Sequence, residues 1–212
     1  MFLRVAVLVS GRGSNLAALL RTLGDEAPAR VVLVISNRAG AGGVELAREH
    51  GIPVHVLNDI ADSAEWLRVL TAAKVDLVVL AGYLKRVPAP VVRAWHGRMI
   101  NVHPALLPRH GGPGMYGRKV HEAVLASGDA TSGATVHLVT EEYDEGEILC
   151  QGVVPVLPGD TPETLAARVL EVEHRLLPAT VLAAAATGIS LPFTSEGPGM
   201  SIPSPQSPAP RS

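Results

Sequence analysis

Cysteine is almost absent from this chain of 212 residues: Cys150 stands alone. That excludes an internal disulfide and any zinc knuckle built on cysteines. A chain without a disulfide framework suits a reducing compartment, and a cytoplasmic location is expected. Aromatic residues make up only 3%, too few for the stacked rings that bind single-stranded nucleic acid. A charge excess of either sign is missing too, since 18 Lys and Arg against 20 Asp and Glu leave −2. Attachment to nucleic acid by charge alone is thereby excluded. Long apolar runs are also lacking. The run Val5–Val9 is too short for a signal core and leads straight into Gly11-Arg12-Gly13. The longest uncharged stretch, 176–193, is rich in alanine and broken by Pro178, Thr180, Thr187, Gly188, Ser190 and Pro192. It reads as the packed end of a helix and not as a membrane span. No histidine pair has metal-ligand spacing with a third ligand, so no metal is expected.

What is present is globular: 47% of residues are hydrophobic and 18% charged. Short β-branched runs alternate with helical stretches. Strands are predicted at 3–9, 31–35, 54–57, 75–81, 99–102, 134–139 and 148–156. Helices are predicted at 16–23, 43–50, 63–74 (capped by Ser63), 88–95, 119–127 and from Pro162 onward, after a Thr161 cap. Strands that are apolar throughout are buried on both faces. With helices between them they imply βαβ units, hence an α/β fold with a mostly parallel, Rossmann-like sheet of about seven strands. The last two strands flank a short acidic turn and are expected to pair as an antiparallel hairpin. From residue 191 the composition shifts to six Pro, five Ser and two Gly in 22 residues. A folded domain at 1–190 and a disordered tail at 191–212 are therefore expected.

Three segments carry candidate chemistry. Ser10-Gly11-Arg12-Gly13-Ser14-Asn15 joins the first strand to the first helix. Small residues there let backbone N–H groups approach an anion, and the helix N-terminus adds partial positive charge. The segment fits neither Gly-x-Gly-x-x-Gly nor Gly-Lys-Ser/Thr, so a monophosphate suits it better than a dinucleotide or ATP. The competing reading is an ordinary glycine-rich turn. Asn101-Val102-His103-Pro104 ends a strand, and alternation puts Asn101 and His103 on one side. An amide beside an imidazole can stabilise an oxyanion and move a proton, although strand histidines are often purely structural. The acidic turn Thr140-Glu141-Glu142-Tyr143-Asp144-Glu145-Gly146 is either a solvated loop or the source of a carboxylate that holds a histidine. His137 reads as core or supporting, and His110 and His121 lack a partner at telling spacing.

Together these segments resemble the phosphoribosylglycinamide formyltransferase family. The resemblance rests on Val9-Ser10-Gly11-x-Gly13-Ser14-Asn15-Leu16, Ala81-Gly82-Tyr83, Asn101-x-His103-Pro104-x-Leu106-Leu107-Pro108, the Asp144 loop and Glu171-Val172-Glu173-His174, over roughly residues 1–190. It implies the formyltransferase fold and transfer of formyl from 10-formyltetrahydrofolate, a co-substrate, to the amine of glycinamide ribonucleotide in purine biosynthesis. The phosphate is then expected on Gly13, Ser14 and Asn15, with Glu173 toward the ribose. The folate is expected against Leu84, Lys85, Arg86 and Val87, Asn101, and the loop Thr140, Glu141, Glu142, Tyr143 and Asp144. Asn101, His103 and Asp144 are the implied catalytic residues. Asp144 is expected to raise the His103 pKa and so supply an imidazolium to the oxyanion. Small-molecule substrates, no nucleic acid, no membrane and a monomer or homodimer follow from the same resemblance.

The family's Met-Arg-Ile-Leu stretch reads Leu84-Lys85-Arg86-Val87 here, and an arginine common before the helix at 65–74 is Ala64. That arginine's folate contact is not carried over. The loop 109–118, rich in glycine, reads as a lid. Alternatives are a formyltetrahydrofolate hydrolase or a methionyl-tRNA formyltransferase, each calling for a further domain, and a non-catalytic folate- or nucleotide-binding module. The presence of Asn101, His103 and Asp144 speaks against the last.

Overall fold

The computed structural model describes residues 2–24 and 26–188; the tail expected at 191–212 lies outside them. Seven strands form one sheet: β1 (Leu3–Val9), β2 (Ala29–Ser36), β3 (Val54–Val56), β4 (Leu77–Leu80), β5 (Met99–His103), β6 (Thr131–Leu138) and β7 (Ile148–Pro155), in the order β3-β2-β1-β4-β5-β6-β7. The helices are α1 (Ser14–Thr22), α2 (Gly42–Glu49), α3 (Ser63–Ala72), α4 (Ala89–Ala94), α5 (Arg118–Ser127) and α6 (Pro162–Thr187). Pairing is parallel from β3 across to β5. The β6–β7 hairpin is antiparallel, as the acidic turn implied, and so is the β5–β6 pair, which the sequence did not reveal.

The continuous apolar runs are explained by two cores, one on each face of the sheet. On β1, Val5, Val7 and Val9 pack with Leu16 and Leu19 of α1 and with Val169 and Leu177 of α6. Ala6 and Leu8 point the other way, toward Trp66 and Leu70 of α3 and Val91 of α4. Trp66 is fully buried and meets Tyr83 edge-on at 5.9 Å, a favoured aromatic geometry. Helix ends follow capping chemistry. Thr161 and Thr164 form a reciprocal capping box at the start of α6. At α3 the cap is Asp62, whose carboxylate accepts from Ala64 N at 2.9 Å and Glu65 N at 3.3 Å; Ser63 is instead the first helical residue. A carboxylate also interacts more strongly than a hydroxyl with a helix N-terminus.

The chain leaves β1 for β2 on one side and returns to β4 on the other. Such a switch point opens a crevice at the carboxyl ends of the strands. Ser10–Gly13 after β1 and Gly82–Val87 after β4 border it. Ser10 ties the two loops together: its N–H donates to Gly82 O at 3.1 Å, and its Oγ accepts from Leu84 N at 3.0 Å.

Gly13 caps α1 with φ +81°, a conformation costly for other residues. A Cβ there would lie 2.5 Å from Gly43 Cα in α2. The glycine is thus required by close packing of the loop against α2, where Gly43 N also donates to Gly11 O at 3.0 Å. The approach of a phosphate, expected from sequence, is a separate demand on the same turn. Gly13→Val is accordingly expected to destabilise the fold, by about 1–3 kcal/mol from overpacking alone. Urea unfolding measures this, and an unchanged midpoint would refute the contact.

Candidate active site

A cavity of about 640 Å³ opens along the crevice. It is lined by Ser14 and Asn15, by Leu84, Lys85, Arg86 and Val87, by Asn101 and His103, by Thr140, Glu141, Glu142, Tyr143 and Asp144, and by Glu173. Of the residues expected to bind substrate or catalyse, Gly13 is not in its wall; it borders an adjoining hollow beside α2.

At the centre of the cavity stand His103 and Asp144, both largely buried, with Nδ1 and Oδ2 3.5 Å apart. His103 ends β5, and the turn after it is built by Thr135, its partner across the β5–β6 ladder. Thr135 Oγ1 donates to Ala105 O at 2.6 Å and accepts from Leu107 N at 3.1 Å. The far nitrogen of His103, Nε2, lies 2.9 Å from His110 O. A carbonyl only accepts, so Nε2 carries a hydrogen and, in the neutral ring, Nδ1 presents its lone pair. Asp144 is turned inward by a left-handed backbone at φ +57°, while Glu141, Glu142 and Glu145 remain exposed. The acidic turn is therefore both a solvated loop and the source of one inward carboxylate. Gly112 N donates to Asp144 Oδ2 at 2.9 Å.

The electrostatics correct one expectation. Burial dominates at His103 and pushes its pKa below the ordinary value of 6.5; Asp144 and the His110 carbonyl act in the opposite direction without prevailing. The resting ring is biased toward neutrality, not held as imidazolium. At Asp144 burial acts upward, but His137, His103 and the Gly112 N–H outweigh it and keep the carboxyl below its usual range.

His137 was read from sequence as core or supporting. The register pairs it directly with Asn101, and its Nε2 lies 3.1 Å from Asn101 Nδ2. Its Nδ1 is committed to Leu138 O at 2.8 Å, so in the neutral ring Nε2 accepts from the Asn101 amide and fixes its orientation; in the charged ring the same nitrogen faces Asp144 Oδ1 at 3.5 Å. Nothing in the sequence spacing shows this, because the two residues meet only through strand pairing. His110 also has a partner: its Nε2 lies 2.7 Å from Asp129 Oδ2.

At one end of the cavity, α1 begins with its first backbone bond at Ala17 N to Gly13 O, 2.8 Å. The N–H groups of the preceding turn have no partner within the helix. Asn15 Nδ2 donates to Glu173 Oε2 at 2.6 Å in a buried contact. Arg12 lines both the cavity and the hollow. Elsewhere on the rim, Arg86 crosses from the β4–α4 loop to the β6–β7 loop. Its Nη2 donates to Glu141 O at 2.5 Å, and its guanidinium sits 5.7 Å from the Tyr143 ring centre. Among the described residues no cluster is suited to hold a metal ion, and no helix is long and apolar enough to cross a membrane.

The profile of the formyl transferase family matches residues 3–181. The chloroplastic phosphoribosylglycinamide formyltransferase of Arabidopsis thaliana is 48% identical over 82% of this chain and 62% of its own length. The chain thus spans less than two thirds of that plant protein. The phosphoribosylglycinamide formyltransferase of Escherichia coli strain K12 is 36% identical over 84% of this chain and 85% of its own length. Among solved structures, the phosphoribosylglycinamide formyltransferase from Anaplasma phagocytophilum is 41% identical. It covers 87% of each chain with a TM-score of 0.81.

Glu173 provides a test of the geometry that needs no ligand. Burial raises its carboxyl to about 7, against a smaller downward pull from the Asn15 amide. A folded pKa above the unfolded 4.5 means that the unfolded chain ionises first as pH rises. Stability therefore falls between those two values. Glu173→Gln keeps an acceptor for Asn15 and removes the titration. It is expected to match wild type at low pH and to be roughly 3 kcal/mol more stable above pH 7. Urea unfolding at several pH values measures the difference, and a pH-independent difference would show that Glu173 is not desolvated.

Proposed function

Since this chain belongs to the formyl transferase family, we propose that it transfers a formyl group from 10-formyltetrahydrofolate to the amine of glycinamide ribonucleotide, a step in purine synthesis. The observation that carries this reading is a single cavity with an anion cradle, a proton-handling pair and an apolar, cation-rimmed flank. The unpaired N–H groups at the start of α1 suit the ribonucleotide's phosphate. Arg12, beside them, makes no hydrogen bond or ion pair among the described residues and supplies a positive charge. Glu173 and Asn15 face the ribose. Val87, Val92 and Val139 offer an apolar wall for the donor's heterocycle, and Lys85 and Arg86 suit its carboxylates.

The chain's residues divide the chemistry between them. As the acceptor amine attacks the formyl carbon, the formyl oxygen gains negative charge. The Asn101 amide, oriented by His137, donates to that oxygen. Neutral His103 Nδ1 accepts the proton that the amine nitrogen must lose. The imidazolium so formed lies between two acceptors, Asp144 and the His110 carbonyl. It returns the proton to the donor nitrogen as the donor's C–N bond breaks. One N–H bond is lost and one is formed, and the formyl group has moved. A resting neutral ring suits this shuttle, because a ring already charged cannot take the first proton.

The reading is tested by following absorbance of the folate product with the acceptor supplied or omitted. Turnover that requires glycinamide ribonucleotide is expected. Equal turnover without it would identify a hydrolase, and none in either case a binding module. Within the transferase reading, Arg12→Gln is expected to raise the KM for glycinamide ribonucleotide about tenfold, on the scale of one charge-assisted hydrogen bond. The KM for the folate should stay unchanged. An unaltered acceptor KM would remove Arg12 from the phosphate site.

A further inference from the structure

We propose that Asp129 and His110 are positioning residues: Asp129 anchors the loop after β5 through the His110 ring, and that loop sets the geometry of both His103 and Asp144. The kinetic part of this inference rests on the formyl-transfer reading; the structural part does not.

His110 adopts φ +55°, a left-handed conformation that costs a residue with a β-carbon of order 1 kcal/mol or more. It opens a segment containing Gly111, Gly112, Gly114 and Gly117, whose own side chains have nothing to hold. One carboxylate, Asp129, takes two neighbouring side chains at its start. Asp129 takes the His110 ring on Oδ2 at 2.7 Å and the neighbouring Arg109 guanidinium on Oδ1. Asp129 itself stands between Gly128, the left-handed cap of α5, and the start of β6, so its backbone is held at both ends.

The anchored loop then touches each member of the central pair. The His110 carbonyl lies 2.9 Å from His103 Nε2. Two residues later, the Gly112 N–H donates to Asp144 Oδ2 at 2.9 Å. Gly111 lies between them, where a Cβ would fall 3.2 Å from Asp144 Cβ and 2.5 Å from Leu107 Cδ2. The loop therefore sets which nitrogen of His103 carries hydrogen, and it holds the carboxylate opposite the other nitrogen. A plain structural staple would stabilise the fold without affecting either.

The groups facing His103 are Asp144 from the β6–β7 loop, His137 on β6, His110 on the loop itself and His121 on α5. Of these, Asp144 and the His110 carbonyl favour the charged ring and are held by the anchored loop, while burial and the His137 and His110 rings oppose it. Releasing the loop disturbs both sets and should shift the His103 titration.

The test uses the full chain with Asp129→Ala and, separately, His110→Asn. Asparagine tolerates the left-handed backbone but is too short to replace the imidazole. Nitrogen-15 NMR of the imidazoles reports the His103 tautomer and titration without substrate. Both variants are expected to lose the single Nε2–H tautomer and to shift the His103 titration away from that of wild type. In the formyl-transfer assay, kcat should fall about 10- to 100-fold, the scale of a small displacement of a catalytic group, with little change in either KM. A folded variant with the wild-type His103 titration overturns the proposal. Wild-type protein without acceptor-dependent turnover overturns the functional reading instead, and the NMR result still decides the positioning role. If Asp129→Ala does not fold, His110→Asn carries the same readouts.

Discussion

The site is organised around a histidine and a carboxylate, His103 and Asp144, kept 3.5 Å apart and largely out of water. Burial opposes charge on the ring, and the carboxylate favours it. The balance leaves the histidine below its ordinary pKa but gives it a waiting counter-charge. A proton taken up there is stabilised once it arrives and is not stored beforehand. Most of the surrounding architecture holds this pair. β5 delivers His103, the left-handed backbone at Asp144 turns the carboxylate inward, and the glycine-rich loop touches both.

The sheet serves this arrangement by bringing distant segments together. Pairing of Asn101 with His137 across β5 and β6 fixes the Asn101 amide in the cavity wall. Ser10 joins the loops after β1 and β4, so the start of α1 and the wall at Leu84–Val87 are tied together. In the proposed transfer, two substrates that must meet at one carbon would share this frame, and such proximity lowers a barrier.

Much of this was legible in the sequence. The uninterrupted apolar strands specified a sheet covered on both faces, and β1 was delimited at its observed ends. The alternation Asn101-x-His103 placed both side chains on one side. What was not legible depended on partners remote along the chain. His137 sits on an apolar strand and joins the site only through strand register. His110 finds Asp129 only because α5 returns the chain beside the loop. The pKa direction at His103 was read wrongly, because a motif displays a nearby carboxylate but not the depth of burial that outweighs it. The packing of Gly13 on Gly43 was also not legible, since that contact belongs to helix packing and leaves no local trace. At α3, two adjacent capping residues, Asp62 and Ser63, left the helix start ambiguous by one position.

The central claim is that His103 is neutral at rest and charged only in the course of the reaction. NMR titration of His103 in the unliganded protein, wild type and Asp144→Asn, tests it most directly. The account predicts a wild-type midpoint below the ordinary 6.5 and a still lower one in Asp144→Asn, where the favourable charge is gone. A wild-type midpoint above that value would contradict it, and would restore a preformed imidazolium as the group that meets the oxyanion.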